Sequence, residues 1–276
     1  MKQNIYDIKT FSEAYDKMRY ENKGMNANDL IEIPNFRKLI PNLNNKKVLD
    51  LGCGYGENDI YCKDLGAKEV LGIDISEHML KIAVDNNKDK NIKYKLMAME
   101  DIDKLEEKFD VVISSLAIHY VKDYNKLIKD IYNLLNEDGI LIFSIDHPLR
   151  IANKFEPWMK KNYTEINGKW FLLLSDYNRE GLREKEWNGV IVKKYHRNFS
   201  SLINGLVKNG FNIDRILEPL PEEESIKIIP KYINQYDRPY FLFIRAKKLP
   251  VKRVIFYINH LLLSIILFNS LSSSDL

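Results

Sequence analysis

Three glycines at alternating positions, Gly52, Gly54 and Gly56, follow an apolar run that contains Asp50. Glycine adopts positive φ without steric cost, so such a turn lets the backbone approach a bound molecule. A helix that begins directly after the turn would aim its unpaired N–H groups at that molecule. Asp74 lies 18 positions after Gly56 and could accept hydrogen bonds from both hydroxyls of a ribose. The pattern predicts a nucleotide site; the alternative is that the glycines only make a tight turn and Asp74 only caps another.

Several side chains that could accept a proton follow predicted strands or end the region after them. They form three neighbouring pairs: His119 with Tyr120, Asp146 with His147, and Tyr195 with His196. A group transfer needs such a base only where the accepting atom loses a proton. His119 and His147 are the first candidates and Tyr120 and His196 the next, although each histidine alone could be a satisfied core residue. The spacing carries no metal-ligand signature, so no metal is predicted.

The elements that must position these residues alternate along the chain. Strands are predicted near 47–51, 69–76, 91–97, 109–115, 140–145, 211–218 and 240–246, and most are separated by amphipathic helices of about a dozen residues. This alternation implies right-handed crossovers and an α/β fold, a mostly parallel sheet with helices on both faces. Ligands bind such sheets beyond the carboxyl ends of the strands. Gly52, Asp74, Met99, Ser115 and His147 are therefore expected at one edge.

Three segments depart from the alternation. Residues 1–45 are predicted to form a helical cap, which could cover the site or simply pack against the sheet. Residues 149–196, inside a domain of 46–248, hold all three tryptophans and are predicted to form an inserted lid over an apolar substrate or a small core of their own. The apolar tail 249–276 could be an interfacial membrane helix, a helix docked on the domain or a disordered extension.

The composition narrows the class of protein. The chain has 276 residues, 45% hydrophobic, with 42 basic against 39 acidic side chains. Acids and bases are interspersed along the chain, so no nucleic-acid partner is expected. Two cysteines imply no disulfide framework and favour a cytoplasmic protein, and the first ten residues lack the apolar run of a signal peptide.

Two details separate the classes of cofactor that use such a turn. A dinucleotide site prefers G-x-G-x-x-G, which would place glycine where Glu57 stands. The carboxylate of Asp50 would repel a pyrophosphate but suits a cofactor that carries a cationic ammonium and sulfonium.

The stretch VLDLGCGYG at 48–56 resembles the first motif of the class I S-adenosylmethionine-dependent methyltransferases. Residues 100–101, 109–115 and 134–141 resemble the family's acidic adenine-contacting turn, its fourth strand and its helix–turn–fifth strand. The similarity is specific over about 46–144 and is strongest to the small-molecule branch called type 11. It implies a Rossmann-like, seven-stranded sheet whose last strand is antiparallel.

The resemblance also implies roles for individual residues. The methionine part of the cofactor would be lined by Gly52, Cys53, Gly54 and the turn glycine Gly56, with Asp50 orienting its amino group and the Ser115 backbone nearby. Asp74 would bind the ribose, and Ile75, Met79, Met99, Glu100 and Asp101 would surround the adenine. Tyr15 and Arg19 could cover the cofactor or reach its carboxylate.

The implied function is methyl transfer from S-adenosylmethionine to a small molecule. The alternatives are a nucleic-acid methyltransferase, a non-catalytic nucleotide-binding protein and an NAD(P)-dependent enzyme. Enzymes that methylate nucleic-acid amino groups carry Asn/Asp-Pro-Pro-aromatic after strand four, where this chain has Ser114-Ser115-Leu116-Ala117. The identity of the acceptor, the methylated atom and the oligomeric state are not determined by the sequence.

Overall fold

The fold is described from a computed structural model covering residues 2–21, 23–154, 163–187 and 189–249. The helices are α1 Lys9–Glu21, α2 Ile33–Arg37, α3 Glu57–Asp64, α4 Glu77–Asn86, α5 Tyr124–Leu134, α6 Phe199–Lys208 and α7 Glu223–Ile228. The strands are β1 Lys47–Leu51, β2 Glu69–Asp74, β3 Ile92–Leu96, β4 Phe109–Ser115, β5 Leu135–Asp146, β6 Tyr163–Ile166, β7 Lys169–Leu172, β8 Gly181–Trp187, β9 Val190–His196, β10 Phe211–Leu217 and β11 Phe241–Lys248. Short π- or 3₁₀-helical turns occupy Asn28–Glu32, Met99–Lys104, Ile118–Tyr120 and Pro230–Tyr236.

Seven strands form one sheet in the order β10-β11-β5-β4-β1-β2-β3. The five strands from β5 to β3 are parallel neighbours, and β11 runs antiparallel to both β5 and β10. This confirms the predicted Rossmann-like sheet with an antiparallel last strand. Because β1 is central, its carboxyl end, where the glycine turn begins, lies between the ends of β2 and β4.

Helices cover both faces of the sheet and close two hydrophobic layers. On one face α5 buries Leu127, Ile128 and Ile131 against the strands, as its apolar spacing predicts. On the other face the N-terminal Phe36 and Leu43 pack with the sheet residues beneath them. The segment after α1 therefore packs on the sheet, while α1 itself lies elsewhere.

From the sequence, Ser76 is predicted to cap the helix after the second strand, and Ser200 or Ser201 the helix that ends before Gly210. The structure matches these predictions in part. The Ser76 hydroxyl accepts the Met79 N–H at 3.1 Å, which confirms the predicted N-cap of α4. The cap of α6 was expected at Ser200 or Ser201 but is Asn198, whose side-chain oxygen accepts the Ser201 N–H at 2.8 Å. Asparagine is as good a cap as serine, and it stands one residue before the first helical turn.

Two irregular regions differ from the predictions. The sequence predicts a strand at 187–195, which is present as β9, but it does not predict β8, which pairs with β9 in a hairpin that turns around Gly189, nor the second hairpin, of β6 and β7, before it. The sequence also predicts a loop at 219–230, and this segment instead contains α7. Residues 155–162, which include Trp158, and the tail from 250 onward lie outside the described residues. In the part that is described, no helix is long and apolar enough to cross a bilayer.

Candidate active site

A cavity of about 970 Å³ lies at the carboxyl ends of β1, β2, β4 and β5, beneath α1 and the β8–β9 hairpin. This is the edge at which the sequence places the site. The residues predicted for it that line the cavity are Tyr15, Arg19, Asp50, Gly52, Cys53, Gly54, Asp74, Ile75, Met79, Met99, Glu100, Ser115, His119 and Tyr120. Four others, Gly56, Asp101, His147 and His196, are not among the lining residues.

The glycine turn is held against β2 and leaves little space for side chains. The N–H groups of Gly52 and Cys53 both donate to the Ile73 carbonyl, at 2.8 and 3.0 Å. Gly52 has φ +75°, and a Cβ atom there would stand 2.6 Å from the Ala117 Cβ. Gly56 has φ +74° and precedes α3, where a Cβ would meet the Tyr94 hydroxyl. Gly56 therefore shapes the turn rather than lining the cavity.

Asp74 ends β2 and holds the turn through its carboxylate. One oxygen accepts the Gly54 N–H at 3.0 Å and the other accepts the Ser76 N–H at 2.9 Å. Burial raises the pKa of Asp74, although these two backbone N–H groups oppose the shift. Each carboxylate oxygen retains a second lone pair, so Asp74 still has acceptor sites for ribose hydroxyls.

Asp50, at the end of β1, faces a second carboxyl that the sequence analysis missed. Asp59, on α3, is fully buried, and burial raises its pKa to about 7. Burial and the adjacent charge of Asp59 also raise the pKa of Asp50. The Asp50 Oδ1 atom is buried without a hydrogen-bond partner. An ammonium group in the cavity would satisfy this orphaned acceptor, so the residues present fit a cofactor with an amino group.

Glu32 is another buried carboxyl, in the cavity wall, and it was also missed. Its Oε1 atom accepts the hydroxyls of Ser115 at 2.9 Å and Ser144 at 2.5 Å. Burial raises the pKa of Glu32 to about 7 although these hydroxyls oppose the shift. The only signal in the sequence was an acid between Ile31 and Ile33 in an otherwise apolar helical stretch.

The Glu32→Gln variant is expected to lose less stability than the wild type between pH 5 and pH 8. Since the folded-state pKa of Glu32, about 7, exceeds its ordinary 4.5, the folded protein retains a proton that the unfolded chain releases in this window. Stability therefore falls as pH rises, by up to roughly 3 kcal/mol for this group. Glutamine keeps the acceptor oxygen but does not titrate. Urea unfolding across the pH range measures the difference.

The exposed Glu13→Gln variant is the matched control, because Glu13 keeps two thirds of its side chain in solvent. It should follow the wild-type curve. A Glu32→Gln curve parallel to the wild type would contradict the assignment.

Helix α1 lies over the glycine turn and is fastened by polar contacts. Arg19 was predicted to reach the cofactor, but its guanidinium bonds Asp29 at 2.8 Å and Glu57 at 2.5 Å. Its positive charge is thus neutralised within the protein, at the edge of the cavity. The Tyr15 ring meets the Trp187 ring at 6.0 Å between centroids, which joins α1 to the β8–β9 hairpin.

His119 is in the cavity wall but is poorly suited to be a base. Its Nδ1 accepts the backbone N–H of Asp146 at 3.2 Å, so the proton of the neutral ring belongs on Nε2. Burial first, and then the charge of Lys194, lower the pKa of His119 to about 3. Its Nδ1 lone pair is already used, and its Nε2 atom is buried without a hydrogen-bond partner in the described part of the chain, 4.0 Å from the Asp146 carboxylate. The hydroxyl of the next residue, Tyr120, lies 3.4 Å from the hydroxyl of Tyr6.

The structure argues against the two other histidines as bases. His147 bonds Glu218 at 2.7 Å through Nε2 and accepts the Leu149 N–H through Nδ1, so both ring nitrogens are engaged away from the cavity. His196 is fully buried, and its Nε2 donates to the Tyr177 carbonyl at 2.8 Å. Both are structural histidines.

Asp101 was predicted to contact the adenine, but its carboxylate lies on the surface instead. Lys2 and Lys104 both pair with it, and these contacts lower its pKa. Glu100, its neighbour, lines the cavity. Of these two successive acids, only Glu100 therefore lies at the cavity, whereas Asp101 lies at the surface.

The far end of the cavity contains an ion pair that the sequence analysis did not identify. Asp146, at the end of β5, binds the ammonium of Lys194 on β9, and Arg150 Nη1 lies 3.4 Å from its other oxygen. Burial would raise the pKa of Asp146, but Lys194 and Arg150 outweigh it and hold the pKa below its usual range. The pair joins the hairpin to the sheet.

Comparison with known proteins identifies the class that this fold and site define. The family model described as Methyltransferase domain matches residues 49–143. A Listeria monocytogenes structure, solved as a candidate S-adenosylmethionine dependent methyltransferase, is 38% identical, with a TM-score of 0.73 over 79% of this chain and 97% of that one. The chain belongs to the class I S-adenosylmethionine-dependent methyltransferases, which confirms the cofactor inferred from the sequence.

Two further relatives extend the similarity over most of the chain. The solved S-adenosylmethionine dependent methyltransferase of Mesorhizobium loti is 30% identical, covers 82% of this chain and 99% of its own, and has a TM-score of 0.71. A Haemophilus influenzae chain that carries the name Uncharacterized protein is 34% identical over 256 residues, which are 89% of this chain and 97% of its own. The similarity therefore includes the insert as well as the glycine turn.

Proposed function

We propose that this methyltransferase acts on a small molecule that binds in the same cavity as the cofactor. The observation that carries the proposal is the continuity of the cavity, from the glycine turn past β4 and β5 to the inserted hairpin. Its volume, about 970 Å³, is at the upper end of the ~300–1,000 Å³ typical of ligand pockets. This leaves space for an acceptor beside the cofactor.

The cofactor half of the site follows from the contacts described above. Asp74 would accept the ribose hydroxyls, and Asp50 would accept the ammonium group on its unpartnered oxygen. Ile75, Met79 and Met99 line the cavity with the apolar surface that an adenine ring needs. Bound S-adenosylmethionine supplies an electrophilic methyl group on sulfur. The protein's task is to exclude water and to align the acceptor with that methyl group.

The acceptor half lies under the β8–β9 hairpin, for which we propose the role of a lid. Trp187 packs on Phe11 of α1 at 5.2 Å between ring centroids, so the cap at 1–45 and the insert at 149–196 meet above the cavity. His119, whose Nδ1 lone pair is already used and whose Nε2 is buried, would contribute to the wall beside the acceptor. The inferred reaction then depends on positioning more than on a histidine base.

The test of the proposal is ligand-dependent stabilisation followed by a transfer assay. S-adenosylmethionine and S-adenosylhomocysteine are expected to raise the melting temperature, since a ligand at a hundred times its Kd adds about 2.7 kcal/mol. NAD is the control and should add nothing. Stabilisation by NAD alone would refute the proposal.

Cell extract split by ultrafiltration then tests the class of acceptor. With methyl-labelled cofactor, label is expected in the small-molecule filtrate. Label found only in retained protein or RNA would contradict a small acceptor and leave the methyltransferase assignment standing.

A further inference from the structure

The cavity is divided by charge. The half next to the glycine turn is lined by five carboxyl side chains, Glu32, Asp50, Glu57, Asp74 and Glu100, and the cations there, Lys2 and Arg19, pair with Asp101 and Glu57. The half formed by the end of β5 and the insert is lined by five cations, Arg150, Lys154, Arg183, Lys185 and Lys194, and by three carboxyl side chains, Asp146, Glu184 and Glu186. We call these the acidic half and the basic half. The acidic half suits a cationic cofactor, which leaves the basic half for the acceptor.

Among the described residues, cations outnumber carboxyl side chains in the lining of the basic half. Lys194 and Arg150 both contact Asp146. Lys185 stands nearby on β8, exposed to the open cavity, and partial burial together with the charges of Arg150 and Lys194 lowers its pKa. Glu184 is engaged by Lys193 at 3.3 Å. An excess of positive charge therefore faces the acceptor space.

Aromatic rings border these cations. The Lys194 ammonium lies 5.4 Å from the centre of the Tyr120 ring, and the Arg150 guanidinium lies 4.6 Å from the centre of the Tyr240 ring. Both rings line the cavity. The contacts restrict where the cations can move, and they place flat apolar surface beside positive charge.

We propose that the methyl acceptor is an anionic small molecule whose carboxylate or phosphate group binds at Lys185, Lys194 and Arg150. The inference rests on the proposed function and deepens it by naming the class of substrate. The anion would pair with Lys185, which has no ion-pair partner among the described residues, and would add a contact to Lys194 and Arg150. Its body would lie against the aromatic rings. The anchoring group would also orient the acceptor relative to the acidic half, where the methyl donor binds.

A purely structural role does not account for the cluster. The Asp146–Lys194 pair alone would fasten the hairpin to β5, and it needs neither Arg150 nor Lys185. Lys185 remains in contact with solvent inside the cavity. A cation kept in that position beside two others is destabilising by itself and becomes favourable when an anion binds.

The experiment compares three probes of similar shape, 4-hydroxybenzoate, phenyl phosphate and the neutral 4-hydroxybenzamide. Calorimetry measures their binding with and without saturating S-adenosylhomocysteine. At least one of the two anions is expected to bind more tightly than the amide, and which one does so distinguishes carboxylate from phosphate recognition. Lys185→Gln and Lys194→Gln should each weaken anion binding roughly tenfold and leave the amide unchanged.

Lys129→Gln is the control, because Lys129 is an exposed lysine of α5 that lies outside the cavity lining. It should bind the anions as the wild type does. The Lys185→Gln variant is expected to fold normally because Lys185 is exposed, so a loss of anion binding in this variant is not due to misfolding. Equal affinity for amide and anions, or an anion preference that survives both substitutions, overturns the inference. A failure of S-adenosylhomocysteine to bind would instead refute the proposed function, and the two results are read separately.

Discussion

Gly52→Ala is expected to lose binding of S-adenosylhomocysteine while the protein remains folded. The added Cβ would stand 2.6 Å from the Ala117 Cβ and 3.3 Å from the Met99 Cε, both in the cavity wall. The first distance is too short for two carbon atoms, so the wall must shift at the point where the cofactor's methionine part is expected. Overpacking of this kind costs about 1–3 kcal/mol, which corresponds to roughly a tenfold to hundredfold loss of affinity.

Gly24→Ala separates the contact from backbone strain. Gly24 has φ +73°, almost the same as Gly52 at +75°, but no heavy atom lies within 4 Å of its added Cβ. Both substitutions therefore carry the strain of an L-residue in the left-handed region, about 1–2 kcal/mol. Only Gly52→Ala also fills the cavity. Calorimetry should show wild-type affinity for S-adenosylhomocysteine in Gly24→Ala. An equal loss of affinity in both variants would mean that the space around Gly52 does not matter for binding.

Asp74→Ala is expected to weaken S-adenosylhomocysteine binding by roughly a hundredfold or more. Two hydrogen bonds from ribose hydroxyls to a carboxylate are worth about 1.5–3 kcal/mol each. The substitution also removes the acceptor of the Gly54 and Ser76 N–H groups, so the turn should loosen. Asp74→Asn keeps one oxygen acceptor and should lose less affinity. The affinities are measured by calorimetry and the folding by urea unfolding.

Asp101→Ala is the variant to compare with Asp74→Ala. The resemblance to the family assigns both Asp74 and Asp101 to the cofactor, but Asp101 is not among the lining residues and pairs with Lys2 and Lys104. Its removal should leave the affinity nearly unchanged. A loss equal to that of Asp74→Ala would show that Asp101 contacts the adenine after all.

The parts that could be predicted from the sequence are those encoded locally. The glycine turn, the strand before it and Asp74 lie within one short stretch, and β1 to β5 alternate with helices in a pattern that allows few topologies. The edge that carries the cavity follows from that pattern, whereas the seven-stranded sheet with its antiparallel last strand is implied by the family resemblance. The Ser76 cap was equally local, since it depends on a contact three residues away.

The parts that were missed depend on packing between distant segments. Glu32, Asp59 and Lys194 enter the site from a helical turn, a helix face and an inserted hairpin, and no spacing in the chain relates them. The candidate histidines show a different limit, because a position after a strand does not say which way its side chain points. Asp146 and His147 are successive residues that leave β5 on opposite sides, so only Asp146 faces the cavity.

The contact between α1 and the β8–β9 hairpin has a consequence for how the protein is made. The backbone N–H of Lys193 donates to the Gln3 side chain, and Phe11 meets Trp187, so the roof of the cavity joins segments about 190 positions apart in the chain. Such long-range contacts form late, because a large loop must close before they contribute. During synthesis the glycine turn can fold while the cavity above it stays open. The enclosed site is thus assembled only after the hairpin has been translated and returns to the N-terminal helix.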